Sequence, residues 1–480
     1  MNGYKFVKLV DEANDFLSSF GHADNTVFIL ELLFYIYICD QAVAAAIKHT
    51  SGYEQNENNL KQKSATFSID EASVPENVLT NTDVDLVSSL NTALSMIETM
   101  NKVRLVDFFE TVRARNTMYS STTTSWAAIL RKLLKILLRV RFKQQADVLE
   151  VQQGFDQIMD RLAFNRKTYF SSHSTPRQII TLMVRLLSPK HGETIYDPAC
   201  GTGSLLIAAT TAAKNTAAFG QDINVDAYSL ARINFIINGS CDSQVALGDT
   251  LRHPHFVCGL QLKQFDVVVC EPPFSLHNWG ASDLKQDTYN RFDYGLPPAR
   301  NGDWAFISHV IKSMKAHGRA AVIVPTGALL RSGDERLIRK SVIEKGIVDA
   351  IVGLPTKLFP SSTTSFAIIL LKKPDDNTPV IQDILFIDAR SEYDPTIARN
   401  TFSFEERIVQ AYRSRDTDAA SARVVPLDEI RSNKYSLDIS KYFRIYDDPI
   451  NVSKVENKVA QVEKKLFSVN QKLLKYHDLI

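Results

Sequence analysis

The stretch TIYDPACGTGSLLIAATTAAK, residues 194–214, reads as a strand, a glycine turn and a helix in immediate succession. Thr194 to Ala199 is short and β-rich. Gly201 and Gly203 allow tight turning and a close backbone approach by whatever sits above the turn. The apolar run after Ser204 begins a helix, and a helix start offers free N–H groups to a polar ligand. The spacing is neither GxGxxG nor that of a phosphate loop, and no Lys-Ser or Lys-Thr follows, which argues against phosphate binding. Taken alone, the segment serves equally well as a structural strand-to-helix connection.

Outward from this unit the same alternation continues. AAFGQDI, QVALGD, FDVVVCEP, RAAVIVP, VDAIVGLP, FAIILLKK and ILFIDA are further candidate strands, with helical patterns between most of them. Alternation of this kind predicts an open, mostly parallel sheet with helices on both faces. The α/β region is expected to begin near Ser174 and to run to about residue 447.

The flanks differ. Residues 1–165 read as mostly helical, with a polar, turn-rich loop expected from Ser51 to Asp83. ILELLFYIYICDQAVAAAI, residues 29–47, reads as an apolar helix. The greasiest run, Val27 to Cys39, is interrupted by Glu31 and is too short to span a bilayer, so a buried helix is expected and no membrane segment. SWAAILRKLLKILLRVRF and its flank carry Arg131, Lys132, Lys135, Arg139, Arg141 and Lys143 around an apolar stripe. They fit a solvated helix face, or a contact to a nucleic-acid backbone or partner. In the tail, Val452, Val455, Val459, Val462, Leu466, Val469 and Leu473 step by three and four, the a and d positions of a heptad repeat. That seam fits a helix paired with another helix, or one lying on its own domain.

Composition bounds the rest. The chain has 480 residues, 55 Lys and Arg against 54 Asp and Glu, and a formal net charge of +1. A grossly basic nucleic-acid binder is excluded, although a local basic groove is not. The five cysteines form no CxxC pair or Cys/His cluster, so neither a disulfide framework nor a zinc site is indicated. A reducing, cytoplasmic compartment fits this usage.

Four features carry chemistry. The glycine turn, headed by Asp197, is the first. Asp222, in FGQDIN at the end of the next strand, is placed to accept both hydroxyls of a ribose, or to cap the following helix. Asp249, in ALGD, is placed to accept from an adenine amino group or to cap a turn. Glu271-Pro272-Pro273-Phe274 follows the apolar strand FDVVVC, and its prolines fix the backbone. A carboxylate, a fixed carbonyl and an aromatic plate suit a flipped base, although Pro-Pro-Phe alone also makes a rigid loop.

In this order the segments resemble the modification (M) subunits of type I restriction-modification systems, which are adenine-N6 DNA methyltransferases. The resemblance covers Tyr169 to Phe443, and more faintly the helical N-terminus. It rests on STPRQIITLMVRLL, DPACGTGS, GQDIN, GDTL, the Pro-Pro-Phe loop, GDWAFISHVIKSMKAHGRAAVIVP, IRKSVIEKGIVDAIVGLPTKLF, ILFIDAR and EIRSNKYSLDISKY. It implies a Rossmann-like class I methyltransferase domain over 166–447, a helical N-terminal domain over 1–165 and a C-terminal partner-binding helix over 448–480. It implies S-adenosylmethionine as cofactor, with Thr175, Pro176 and Arg177 bordering it and Gly201, Thr202, Gly203 and Asp197 forming the glycine loop. Asp222 matches the acid that binds the ribose, and Pro272, Pro273 and Phe274 match the catalytic loop. The implied partners are DNA, a separate specificity (S) subunit, a second M copy and, where cutting occurs, a restriction (R) subunit.

Glu271 departs from the pattern, which has Asn there in this family and Asp or Ser in related ones. Glu is longer by roughly 1.5 Å, and a small misplacement in such a geometry costs on the order of a hundredfold in rate. Two expectations follow: a pocket adapted to Glu271, or a subunit kept as a catalytically impaired scaffold. Methyl transfer to RNA or to a protein amide is a third reading of the same loop.

Overall fold

The structure, a computed structural model, describes residues 3–22, 25–50, 67–81, 85–122, 125–164, 176–213, 215–240, 243–355, 364–374, 383–390, 404–415 and 421–443. Thr175 and the heptad seam from Val452 to Leu473 lie outside the described residues.

In chain order the strands are β1 (Thr194–Asp197), β2 (Ala217–Asp222), β3 (Gln244–Leu247), β4 (Val257–Cys258), β5 (Gln261–Leu262), β6 (Phe265–Cys270), β7 (Met314–Pro325), β8 (Val348–Gly353), β9 (Phe366–Lys372), β10 (Asp383–Asp388) and β11 (Ala422–Pro426). β4 and β5 form a separate small hairpin, and the other nine form one sheet in the order β11-β10-β8-β9-β7-β6-β1-β2-β3. β1 pairs in parallel with β2 on one side and β6 on the other. β9 runs antiparallel to both its neighbours, and β11 runs antiparallel to β10. All eight expected strands are present. β11 was not anticipated.

The central strands are apolar along their length because both faces are covered. β8 is buried throughout, and in β6 only Asp266 is partly open. On one face lie the helices Arg177–Leu187, Ser204–Ala212 and Phe404–Ser414, which bury Ile179, Met183, Leu206 and Ile408. On the other lie Asp303–Lys312, Asp334–Glu344 and Leu427–Ser432, which bury Ile307, Ile338 and Ile430. From β1 the chain winds outward through β2 to β3 and then returns to β6 on β1's other side. That reversal opens a crevice at the carboxyl ends of β1 and β6, where open α/β sheets bind ligands.

Before the sheet, helices follow one another from Tyr4–Ser18 to Gln145–Phe164. The apolar helix is longer than expected and spans Thr26–Thr50. It covers the expected 29–47 and adds three residues at each end, with the alanines from Ala42 to Ala46 favouring helix. Its stretch Thr26–Ala46 has the length and hydropathy to cross a membrane, yet 83% of that apolar window is buried inside the protein. The polar loop is also shorter than expected, since Pro75–Thr80 is a helix opened by proline.

The basic stretch is partly committed inside the chain. Arg141 forks onto the buried Asp40 and also pairs with Glu76, Arg139 pairs with Glu12, and Arg131 donates to the Leu79 carbonyl. Lys132, Lys135 and Lys143 are exposed.

Glu31 sits in the helical core, fully buried, and accepts from the Thr111 hydroxyl. Burial pushes its carboxyl up to about 7 from 4.5. Between those values the folded chain keeps a proton that the unfolded chain gives up. Stability should therefore fall as pH rises from about 4.5 through 7, by at most roughly 3 kcal/mol. Glu31→Gln should flatten that decline in urea unfolding measured from pH 4.5 to 8. An unchanged slope would show that Glu31 does not titrate in this range.

Candidate functional site

β1, β2, β3 and β6 all end on the crevice, and five short bonds organise the ends of the first three. At the head of the glycine turn, Asp197 Oδ1 accepts the Ala199 N–H at 2.9 Å. The Cys200 N–H donates to the Gln221 carbonyl at 3.0 Å, which lays the turn against the end of β2. Asp222 then takes the Gly201 N–H on Oδ2 and the Asn224 N–H on Oδ1, both at 2.8 Å. Thr250, after β3, donates its hydroxyl to the Pro198 carbonyl at 2.6 Å.

Gly201 has φ +53°, and a Cβ there would meet nothing within 4 Å. The bare Cα therefore faces open space above the turn. Gly220 in β2 is bare for the opposite reason. A Cβ would lie 2.8 Å from Cys200 Sγ and 3.0 Å from Leu206 Cδ1, because the turn folds back onto the strand.

Two cavities flank the turn. The smaller, about 370 Å³, is lined by Asp222, Ile223, Asp249, Thr250, Leu251 and His277 among others. The larger, about 570 Å³, reaches past Asp197 and Ser204 to Arg177 and Asp156. Ala199, Gly201, Thr202 and Glu271 line both. Such volumes suit an extended small molecule.

The structure thus gathers Asp197, Gly201, Thr202, Asp222, Asp249 and Glu271 around two adjoining cavities, Asp197 on the larger, Asp222 and Asp249 on the smaller and the other three on both, whereas Pro272 and Phe274 line neither. Gly203, at φ +78°, starts the helix Ser204–Ala212 directly behind them. Pro176 precedes the helix Arg177–Leu187. Arg177 lines the larger cavity and pairs with Asp156 at 3.1 Å, with both side chains well exposed. Asp249 lines the smaller cavity and also caps its turn: its carboxylate accepts from the Leu251 N–H at 2.9 Å and the Arg252 N–H at 3.1 Å, and it pairs with the Arg252 guanidinium at 2.9 Å.

Glu271 follows β6 directly. Pro272 is buried, and the Phe274 ring packs on Phe366 at the start of β9, with centroids 4.5 Å apart. The loop is pinned from the far side as well. Gly302 N–H donates to Leu276 O at 2.9 Å, and the Trp279 indole donates to Pro298 O at 3.0 Å.

The site is acidic. Burial, with the charge of Asp222 added, pushes Asp197 up to about 8. Burial, with the charge of Asp197 added, pushes Glu271 up to about 8 as well. A wall of acids at this density favours a cationic ligand group. Ile223, 68% exposed beside Asp222, and Thr250 were not anticipated. The only sequence signal for Ile223 is an apolar residue directly after the strand-end acid.

Comparison with known proteins identifies the family. Residues 147–448 match the family described as N-6 DNA Methylase. The type I restriction enzyme MjaVII methylase subunit of Methanocaldococcus jannaschii is 27% identical, over 93% of this chain and 80% of that relative. The MjaVIII methylase subunit of the same organism is 31% identical, over 73% of this chain and 62% of its own length. A type I restriction-modification methyltransferase subunit from Streptococcus thermophilus superposes with a TM-score of 0.76, at 23% identity, over 92% of this chain and 99% of that one.

The contact between the turn and β2 makes Gly220 a sensitive position. Gly220→Ala should cost about 1–3 kcal/mol through overpacking, read as a lower denaturant midpoint. Adding Cys200→Ala should recover part of the loss, because the two atoms in closest contact are then separated. An unchanged midpoint for Gly220→Ala would refute the close approach.

Proposed function

The chain belongs to the N-6 DNA Methylase family, and on that premise we propose that it is the methyltransferase subunit of a type I restriction-modification complex. In this reading it transfers a methyl group from S-adenosylmethionine to N6 of adenine, in a DNA site chosen by a separate specificity subunit. The observation that carries the reading is the shared lining of the two cavities. Glu271, at the head of the Pro-Pro-Phe loop, borders the same space as the glycine turn and the acid Asp222.

When bound, the cofactor supplies an electrophilic methyl group on a sulfonium. The residues at hand suit its groups. Asp222 lies where a ribose would offer its hydroxyls, and the bare Cα of Gly201 leaves room for close backbone approach. The acids Asp197, Asp222 and Glu271 oppose the positive charge. Asp249 acts through the turn it caps, holding Thr250 and Leu251 at the cavity wall. Arg177, which lines the larger cavity, borders the cofactor from that side, and the resemblance assigns the same role to Thr175 and Pro176.

For the base, Glu271 and the carbonyl of Pro272 accept the two amine hydrogens. That raises electron density on the nitrogen for attack, and Phe274 supplies an aromatic face for a base flipped out of the duplex. Glu271 accepts most strongly as a carboxylate. With its carboxyl pushed up to about 8, the fraction in that form rises as pH passes upward through 8. Base readout is borrowed, in this proposal, from the specificity subunit, with a second copy of this chain and, where cutting occurs, a restriction subunit in the same assembly.

One residue favours a second reading. Glu271 stands where the family has Asn, which fits a subunit that retains the cofactor site but has lost turnover. The test is transfer of labelled methyl from S-adenosylmethionine into duplex DNA by the complex, with Glu271→Asn alongside. We expect wild-type transfer into adenine, with kcat/KM rising through pH 8, and loss of that rising limb in Glu271→Asn. Activity in Glu271→Asn alone would establish the scaffold reading. Transfer only into RNA or protein would refute DNA as the substrate.

A further inference from the structure

The catalytic loop carries a residue in an uncommon backbone conformation. Ser275, directly after Phe274, has φ +50°. An L residue there costs about 1 kcal/mol or more, and the conformation persists only where its surroundings hold it. The holder is Asp303, whose Oδ1 accepts the Ser275 N–H at 2.8 Å.

We propose that Asp303 is a positioning residue for methyl transfer: by fixing the Ser275 amide, it sets the Phe274 ring and the Glu271-Pro272 acceptors in place. The proposal rests on the methyltransferase reading above. Asp303 lines neither cavity, so it acts through the loop. It is fully buried and opens the helix Asp303–Lys312, where the free N–H groups of the first turn favour a negative charge. Its second oxygen receives the Arg331 guanidinium, which also grips Glu335 at 2.5 and 3.0 Å. The carboxylate is therefore itself held from behind.

The neighbouring peptide repeats the grip. Gly302 N–H donates to Leu276 O at 2.9 Å, so residues 302 and 303 hold the loop through one carbonyl and one amide. On the other side, Phe274 rests on Phe366. Cutting the Asp303 bond frees Ser275 to relax toward negative φ, and the preceding ring must then swing. Asp303→Asn keeps an acceptor for Ser275 but turns an amide NH₂ toward Arg331, so it weakens the hold without removing it.

The experiment uses the complex with its specificity subunit and a target duplex. It reads three quantities: hydrogen exchange of the amides at 271–276, the single-turnover methylation rate and the Kd for S-adenosylmethionine. For Asp303→Ala we expect exchange at Ser275 to speed up at least about tenfold and the rate to fall on the order of a hundredfold. The Kd should stay within about twofold, and Asp303→Asn should fall in between. Unchanged exchange at Ser275, or a rate loss matched by an equal loss of cofactor affinity, would overturn the positioning role. If Asp303→Ala does not fold, Asp303→Asn and Arg331→Lys carry the same readings. A wild-type complex that moves no methyl group into adenine refutes the methyltransferase reading and this inference with it. An active wild type with an equally active Asp303→Ala refutes only the inference.

Discussion

One carboxylate closes the site. Asp222 stands at the end of β2 and takes two backbone N–H groups, one from the glycine turn after β1 and one from Asn224 at the start of the next helix. Bonds to a charged acceptor contribute about 1.5–3 kcal/mol each. The pair joins two adjacent strand ends and a helix cap into one rigid corner. Thr250 performs the same service for β3 through the Pro198 carbonyl. With these ends tied, the turn cannot lift off the sheet, and Gly220 has to be bare to let it lie down.

That corner concentrates negative charge where the sheet is most buried. Asp197 and Glu271 are both pushed up to about 8, chiefly by burial. An acid held partly neutral at this price in solvation is a poor structural choice, since a buried charge without compensation destabilises the fold. It becomes favourable once a cation enters, because attraction at short range in a weakly polar space is strong. A neutral amide at position 271 would lessen the repulsion felt by Asp197. Glu271 instead adds a third acid to the wall, which ties ligand binding and proton occupancy more closely in this chain.

The strands were legible because central parallel strands have no polar face to hide them. VDAIVG and FDVVVC read as strands from composition alone, and their order foretold a sheet of this class. β11 was missed since ARVVP is short, half open and ends in proline, so no period emerges from it. Asp249 stayed ambiguous for a physical reason: a strand-end acid serves a ligand or a turn with the same atoms. Thr250 and Asp303 were illegible because their partners lie 52 and 28 residues away. The helix Thr26–Thr50 was legible from its apolar run in spite of Glu31, which the folded core accommodates beside Thr111.

The helical N-terminal residues bear on the site by a route the sequence does not display. The helix Val225–Ile237 leaves the Asp222 corner directly, and its Leu230, Ile233 and Ile237 belong to the N-terminal helical cluster rather than to the sheet's own cores. Arg232 lies over Phe108 at 4.5 Å and donates to the Val106 carbonyl at 3.0 Å. Arg115 pairs with Asp226, and Gln152 donates to the Ile237 carbonyl, both at 2.6 Å. The helix is thus gripped at its start, middle and end by residues that precede the sheet. Close-packed contacts of this kind transmit displacement rather than absorb it. The N-terminal helices therefore help to fix the helix whose cap, Asn224, donates its N–H to Asp222.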